Sequence, residues 1–69
     1  MTHYVCTVEY RDPESGVMQH YTQEINAPDG DHAGDATERA FMESLAEEHG
    51  DLAQDVEIVE IVCRAEGNH

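Results

Sequence analysis

Residues 4–26 read YVCTVEYRDPESGVMQHYTQEIN, and this stretch decides the fold because a turn signal separates two strand-like runs. From Tyr4 to Tyr10, every second side chain is apolar or aromatic, which is the period of a half-buried strand. The turn signal is DPESG, residues 12–16: Asp and Pro suit the first two positions of a type I turn, and Gly accepts a positive φ. We therefore predict a β-hairpin with a four-residue loop closed by Asp12 and Val17.

The loop length fixes the register of the predicted hairpin, because the strands pair outward from the closing residues. With a second strand over 17–26, Val8 lies opposite Tyr21 and Tyr4 lies opposite Ile25. Two glutamines, Gln19 and Gln23, then share the inner face of the second strand. We expect a strand with this pattern to lie at the edge of the sheet.

A helix is predicted from Asp35 to His49, after a loop over residues 27–34. Asp35 as the N-cap and Glu38 three residues later resemble a capping box, and Gly50 is suited to the position after the last helical turn. One narrow apolar stripe would cover one face of the sheet. The stripe consists of Phe41, Met42, Leu45 and Leu52.

The last predicted strand covers residues 55–65 and is apolar on both faces. The element order is β-β-α-β, which predicts an α+β fold: a three-stranded antiparallel sheet in the order 2-1-3, with one helix packed on one face. The other face is left open, and its predicted apolar patch consists of Val5, Val56, Ile58 and Val62. We predict a single acidic domain over 1–69, with a frayed tail at 66–69.

The size of the chain limits what it can do. A domain of 69 residues buries only about 60% of its unfolded surface, so a deep substrate pocket would take much of its core. Residues 1–4, MTHY, have neither a basic segment nor an apolar segment of a signal peptide, and no apolar run approaches the ~20 residues of a membrane span. These features predict a cytoplasmic protein.

The two cysteines, Cys6 and Cys63, lie near opposite ends of the chain and form no C-x-x-C motif. Both fall on the predicted inner face of the flanking strands, where a free thiol behaves as a small hydrophobic group. We expect two reduced, buried thiols, because disulfides are rare in the cytosol. The alternative is a disulfide that joins the first and last strands.

The charge of the chain is extreme. It has 16 acidic residues and three basic ones, all arginine, for a formal net charge of −13. The five histidines offer little compensation near neutral pH, where most imidazoles are uncharged. Such a charge keeps a protein in solution but destabilises its compact state by self-repulsion. We infer that the charge serves something other than folding.

No enzymatic, cofactor-binding or metal-binding site is predicted. Ser15 and Ser44 lack a glycine-rich turn and a neighbouring base, so no nucleophile is indicated. Residues 29–35, DGDHAGD, resemble the start of a calcium loop, but Ala33 and Ala40 occupy two positions where that loop needs oxygen ligands. The histidines form no i,i+4 pair. No phosphate-binding motif or basic patch is present, so direct nucleic-acid binding is not expected either.

The placement of the acids is the strongest functional signal. Glu43 and Glu47 form a like-charge i,i+4 pair, and Glu47 and Glu48 lie in the last helical turn, where the helix dipole disfavours anions. Such a row of carboxylates can offer negative charge to a protein that grips phosphates. The predicted partner-binding residues are Glu43, Glu47, Glu48, Asp51, Asp55, Glu57 and Glu60.

In size, acidity and fold pattern the chain resembles the small phage anti-CRISPR proteins, on the strength of the acidic cluster at Glu43, Glu47, Glu48, Asp51 and Asp55. The resemblance implies a DNA mimic, in the host cell cytoplasm if a phage encodes it. It would occlude the surface with which a CRISPR surveillance complex reads the PAM or binds duplex. Two alternatives remain: a housekeeping domain of a salt-adapted organism, and a homodimer that hides the open sheet face.

Overall fold

A computed structural model describes residues Met1–Glu66. It contains strand β1 (Thr2–Arg11), strand β2 (Met18–Ala27), helix α1 (Gly30–His49), a 3-10 helix (Gly50–Asp55) and strand β3 (Glu57–Ala65). The strands form one antiparallel sheet in the order β2-β1-β3, with β1 in the centre. The predicted α+β fold, its element order and its sheet order are confirmed.

The hairpin has the predicted register. Val8 lies opposite Tyr21 and Tyr4 lies opposite Ile25. The loop is closed by an Asp12 N–H that donates to the Val17 carbonyl (2.9 Å), and Gly16 has a φ of 75°. Because this φ lies in the left-handed region, glycine is the residue that the loop requires. The edge position of β2 is likewise confirmed.

Helix α1 begins five residues earlier than predicted, so the N-cap prediction at Asp35 is wrong. The N-cap is Asp29, whose carboxylate accepts a hydrogen bond from the His32 N–H at 2.9 Å. The extra turns fit because Ala33 and Thr37 continue the buried stripe of Phe41 and Leu45 at four-residue spacing. Burial of this longer stripe outweighs the low helix propensity of the two glycines near its start.

The helix ends where predicted, but the following segment was not foreseen. Gly50 has a φ of 63°, and its N–H donates to the Ala46 carbonyl. The chain then makes a 3-10 helix that buries Ala53 at 3% exposure and leaves Leu52 at 42%. The prediction that Leu52 joins the apolar stripe is therefore wrong, because the chain winds differently after Gly50 and brings Ala53 inward.

A β-bulge in β3 overturns half of the predicted open-face patch. Glu9 pairs with Glu60 but Tyr10 pairs with Ile58, so Val59 is an additional residue without a partner on β1. An extra residue reverses the side-chain alternation beyond it. Val56 and Ile58 therefore pack against the helix-side core, contrary to the prediction.

The open face, on the side of the sheet away from α1, keeps two of the four predicted apolar residues. Val5 is half-buried there between Glu24 and Arg64, and Val62 is 51% exposed. The predicted four-residue patch is thus reduced to two valines on this face, which are diagonal neighbours on β1 and β3.

The core lies between the sheet and α1. Phe41 is 1% exposed and Leu45 is 2% exposed, as predicted, and both belong to one buried cluster with Val8 and Ala53. The Phe41 ring lies 4.6 Å from that of Tyr10, between centroids, and 5.5 Å from that of Tyr21. These tilted aromatic contacts explain why one phenylalanine can anchor so small a core.

Cys6 and Cys63 form a disulfide, so the prediction of two free thiols is wrong and its alternative is correct. They are directly opposite each other on β1 and β3. Next to this bond, the Glu66 N–H donates to the His3 carbonyl at 2.8 Å, which ties the first residue of the predicted tail to β1. The other tail residues, 67–69, lie outside the described residues.

Candidate functional site

The acidic residues are concentrated in α1 and the 3-10 helix, together called the helical layer. From Asp29, its N-cap, to Asp55, this part of the chain has nine carboxylates and one arginine, Arg39. All nine acidic residues are exposed. They are Asp29, Asp31, Asp35, Glu38, Glu43, Glu47, Glu48, Asp51 and Asp55.

The packing of α1 explains why part of this charge faces away from the sheet. Phe41 and Leu45 are buried against the sheet, and Glu43 lies midway between them in sequence. At about 100° per residue, Glu43 projects roughly 200° around the helix axis from Phe41. Glu47 follows one turn later on the same side. The apolar stripe that fixes the helix therefore also fixes the direction of these two acids.

Little of the helical-layer charge is neutralised by arginine. The ion pairs of arginine within residues 1–66 are Arg11 with Glu57 (3.7 Å) and Arg64 with Glu66 (3.4 Å), and neither pair involves the helical layer. The one ion pair inside the layer is Asp29 with His32, at 2.8 Å. The carboxylates of this layer are thus available to an external cation or basic side chain.

The seven predicted partner-binding residues fall into two groups. Glu43, Glu47, Glu48, Asp51 and Asp55 lie on the helical layer and are exposed. Glu57 and Glu60 are also exposed, but they lie on the open face of the sheet, where Glu57 contacts Arg11 and Glu60 is opposite Glu9. The two groups lie on different sides of the sheet, although Asp55 and Glu57 are only two residues apart in the chain.

Glu48 lies toward the hairpin end of the molecule, close to Tyr10. Partial burial, followed by the negative charges of Asp12 and Glu48, raises the pKa of the Tyr10 hydroxyl above its ordinary value. The acidic surface therefore continues from the end of α1 to the hairpin loop.

Sequence reasoning missed the N-terminal third of this surface. Asp29, Asp31, Asp35 and Glu38 extend the acidic face because α1 begins at Gly30. The signal was present, since Asp29 is a favourable N-cap residue. The glycines at 30 and 34 favoured a loop instead. Asp29 and Asp31 also belong to the calcium-like motif, and in the structure they cap and begin helix α1.

A second group of polar residues lies at the hairpin end. One potential metal-ligand atom from each of Asp12, Glu14 and His49 lies within 4.8 Å of the other two. No sequence pattern indicates this group, because His49 is 35 residues or more from both carboxylates along the chain. The hairpin loop and the end of α1 bring the three side chains together.

Residues 1–66 enclose no pocket. None of the helices in this part of the chain has the length and apolar character needed to cross a bilayer. Comparison of the chain with protein-family models, curated proteins and solved structures found no match in any of the three.

Proposed function

We propose that this protein is an inhibitory binding protein that presents DNA-like negative charge to the nucleic-acid-binding surface of a basic partner. The observation that carries the proposal is the helical layer, with nine exposed carboxylates and a single arginine along one side of the molecule. A basic groove built for phosphates would meet a complementary potential on this surface and associate rapidly, in a salt-sensitive manner.

The dimensions of the protein support the same reading. The molecule is elongated, with extents of 42 × 18 × 15 Å. Spread along the 42-Å axis, a net charge of −13 amounts to one charge per about 3.2 Å. A duplex carries one phosphate per about 1.7 Å of its axis, and each strand one per about 3.4 Å. The net charge density therefore approaches that of one DNA strand.

The arrangement of these charges costs stability. Glu47 and Glu48 occupy the negative end of the α1 dipole, and Glu43 and Glu47 repel each other across one helical turn. Acids placed only for solvation would favour the first turn of the helix, where α1 has Asp31. Glu47 and Glu48, at the opposite end, do not follow this preference, which favours a role in an external contact.

The proposed partner is a basic nucleic-acid-binding protein. The resemblance to anti-CRISPR proteins points to a subunit of a CRISPR surveillance complex that reads the PAM, and to binding in the host cytoplasm. The proposal requires the Cys6–Cys63 disulfide to persist there; Cys6 is fully buried and shielded from thiol reagents, whereas Cys63 is half-buried.

The proposal is tested by competition. The partner is first captured from a cell extract at low salt and identified by mass spectrometry. Target duplex is then titrated into the purified complex, and release of this protein is followed. We expect duplex to displace it, and affinity to fall steeply with salt. Simultaneous binding of duplex and protein would remove mimicry as an explanation of the charge.

Two matched charge-removal variants locate the contact surface. The helical variant replaces Glu43, Glu47 and Glu48 by Gln and Asp51 by Asn. The sheet variant replaces Glu9, Glu24, Glu57 and Glu60 by Gln. It therefore removes the same number of charges, four, but from the open face of the sheet.

We expect the helical variant to lose binding and the sheet variant to retain most of it, although each has the same net charge. The helical variant should melt no lower than the parent, because it relieves repulsion at the end of α1. Equal losses in both variants would mean that net charge, and not the helical layer, determines binding.

A further inference from the structure

The group at the hairpin end consists of one imidazole and two carboxylates. Nδ1 of His49 lies 3.1 Å from Oε1 of Glu14, and Nε2 of His49 lies 3.8 Å from Oδ2 of Asp12. The side chain of His49 is 13% exposed, and that of Asp12 is 20% exposed. Two acids from the loop thus enclose a largely buried histidine from the end of α1.

The histidine is not satisfied by hydrogen bonds. Its Nδ1 is buried and has no hydrogen-bond partner, since the Glu14 oxygen is near but outside the direction of a hydrogen bond. A buried polar nitrogen without a partner is destabilising unless another ligand satisfies it. The buried Nδ1 therefore indicates a missing ligand on the side of the imidazole that faces Glu14.

The carboxylates have free coordinating atoms. Oδ1 of Asp12 accepts hydrogen bonds from the backbone N–H groups of Glu14 (2.8 Å) and Ser15 (3.1 Å). These bonds hold the Asp12 side chain in place and leave Oδ2 free, directed toward His49. Glu14 is 60% exposed and can adjust its position.

We propose that Asp12, Glu14 and His49 bind a divalent transition-metal ion, with Zn²⁺ as the best match. Imidazole nitrogen with carboxylate oxygen is a zinc ligand set, and three protein ligands leave one tetrahedral position for water. Ligand atoms at about 2.0–2.1 Å from a tetrahedral ion lie about 3.3 Å from one another. One ion takes only one nitrogen of His49, so the 3.1 Å from Nδ1 and the 3.8 Å from Nε2 do not both describe the site. With one ligand atom from each residue, the three atoms lie within 4.8 Å of one another. The longest separation then has to shorten by about 1.5 Å to reach that geometry.

No thiolate would compete with this site for Zn²⁺, because both cysteines are joined in the disulfide. It also differs from the general attraction of an acidic protein for cations, since within residues 1–66 only this group combines an enclosed imidazole with two carboxylates. Bound zinc would connect the hairpin loop to the end of α1. It would also neutralise part of the acidic surface near Glu48.

The test is calorimetric titration of Zn²⁺ into the full chain without a histidine tag. Salt is held at about 150 mM, where the Debye length is about 8 Å and diffuse attraction is weak. We expect one ion per chain, little competition from a large excess of Ca²⁺, and a melting temperature that rises until the site is filled. Displacement by Ca²⁺ at similar concentrations would overturn the proposal.

Variants separate the site from its surroundings. Glu14→Gln and His49→Gln should each weaken Zn²⁺ binding by at least about tenfold, because each removes a ligand. Glu14 is exposed in a loop, so its variant tests the proposal even if His49→Gln fails to fold.

His20→Gln is the matched control, since His20 lies 3.4 Å from a single carboxylate, that of Glu9. This variant should bind Zn²⁺ as the parent does. Equal losses in all three variants, or none in Glu14→Gln, would show nonspecific binding and refute the site. An NMR shift of the His49 imidazole on addition of Zn²⁺ provides a second readout.

Discussion

Thr37 is a fully buried polar side chain on the sheet-facing side of α1, and its Oγ1 has no hydrogen-bond partner among the described residues. Thr37→Val replaces this hydroxyl with a methyl group of similar size. We expect the free energy of unfolding to rise by about 1–2 kcal/mol, because the cost of an unsatisfied hydroxyl disappears. Urea denaturation of the two proteins measures the change.

Thr37→Ser is the control for this substitution. It keeps the hydroxyl and removes the methyl group, so it should lower the stability. A Val variant less stable than the parent would mean that the hydroxyl is satisfied in solution.

Phe41 is the largest fully buried side chain and contacts the rings of Tyr10 and Tyr21. Phe41→Ala should cost about 3–5 kcal/mol, a large fraction of the stability of a small domain. Leu52→Ala is the control at a residue that is 42% exposed, and it should cost much less. Thermal unfolding followed by circular dichroism compares them, and similar losses would contradict the described core.

Asp29 determines where α1 begins. Asp29→Ala removes the carboxylate that caps the helix at the His32 N–H. We expect the melting temperature to fall by about 4–8 °C, which is typical of a lost N-cap in a domain of this size. Asp35→Ala removes a charge from within the helix and should leave the melting temperature nearly unchanged or raise it. A larger fall in melting temperature for Asp35→Ala than for Asp29→Ala would mean that the helix begins at Asp35, as the sequence predicts.

The same cap makes the start of α1 sensitive to pH. The backbone N–H and then the imidazole of His32 lower the pKa of Asp29, while the Asp29 carboxylate raises the pKa of His32. The contribution of Asp29 to the free energy of unfolding is complete above its unfolded pKa, about 3.9. It is lost as the pH falls through the lowered pKa of Asp29 in the folded protein. The His32 contribution is complete below its unfolded pKa, about 6.5, and is lost as pH rises through the raised value.

Both contributions are therefore complete only between about pH 4 and 6.5. An NMR titration should give a pKa for His32 above its ordinary value, and Asp29→Asn should reduce it. An unchanged His32 pKa in that variant would contradict the contact.

The elements differ in how far the sequence could predict them. The β1–β2 register follows from four loop residues, so Val8 and Tyr21 could be paired in advance. The β1–β3 register depends on a long connection through α1, and no local signal aligned Cys6 with Cys63 or placed the bulge at Val59. Likewise, the exposed acids near the end of α1 could be selected from sequence, whereas the contact of His49 with Asp12 and Glu14 required the tertiary structure.

The disulfide stabilises the whole molecule because it joins positions 57 residues apart. In the chain-entropy description, closing a loop of this length contributes about 4 kcal/mol. Dithiothreitol should therefore shift the urea midpoint of the parent strongly downward. A Cys6→Ala/Cys63→Ala double variant should start lower and show no response. The native protein should also weigh about 2 Da less than its reduced form, and equal masses would mean that the thiols are free.

Self-repulsion among the charges acts over the whole length of the molecule at low salt. At about 10 mM ionic strength the Debye length is about 30 Å, comparable with the 42-Å long axis. We expect the protein to remain folded there, with a melting temperature that rises as salt is added. Circular dichroism at several salt concentrations measures this dependence. Unfolding at low salt would favour the domain of a salt-adapted organism over a DNA mimic.

The bond between Cys6 and Cys63 also closes most of the chain into a covalent ring, which includes β2, the helical layer and most of β3. A pulling force applied on the two sides of this ring passes through the sulfur atoms and does not separate the strand pairs that lie within the ring. A motor that threads proteins through a narrow pore would have to pass two chain segments side by side, or wait for reduction. The chain inside the ring can therefore be extended only after the disulfide is reduced, so its resistance to unfolding by force depends on thiol chemistry.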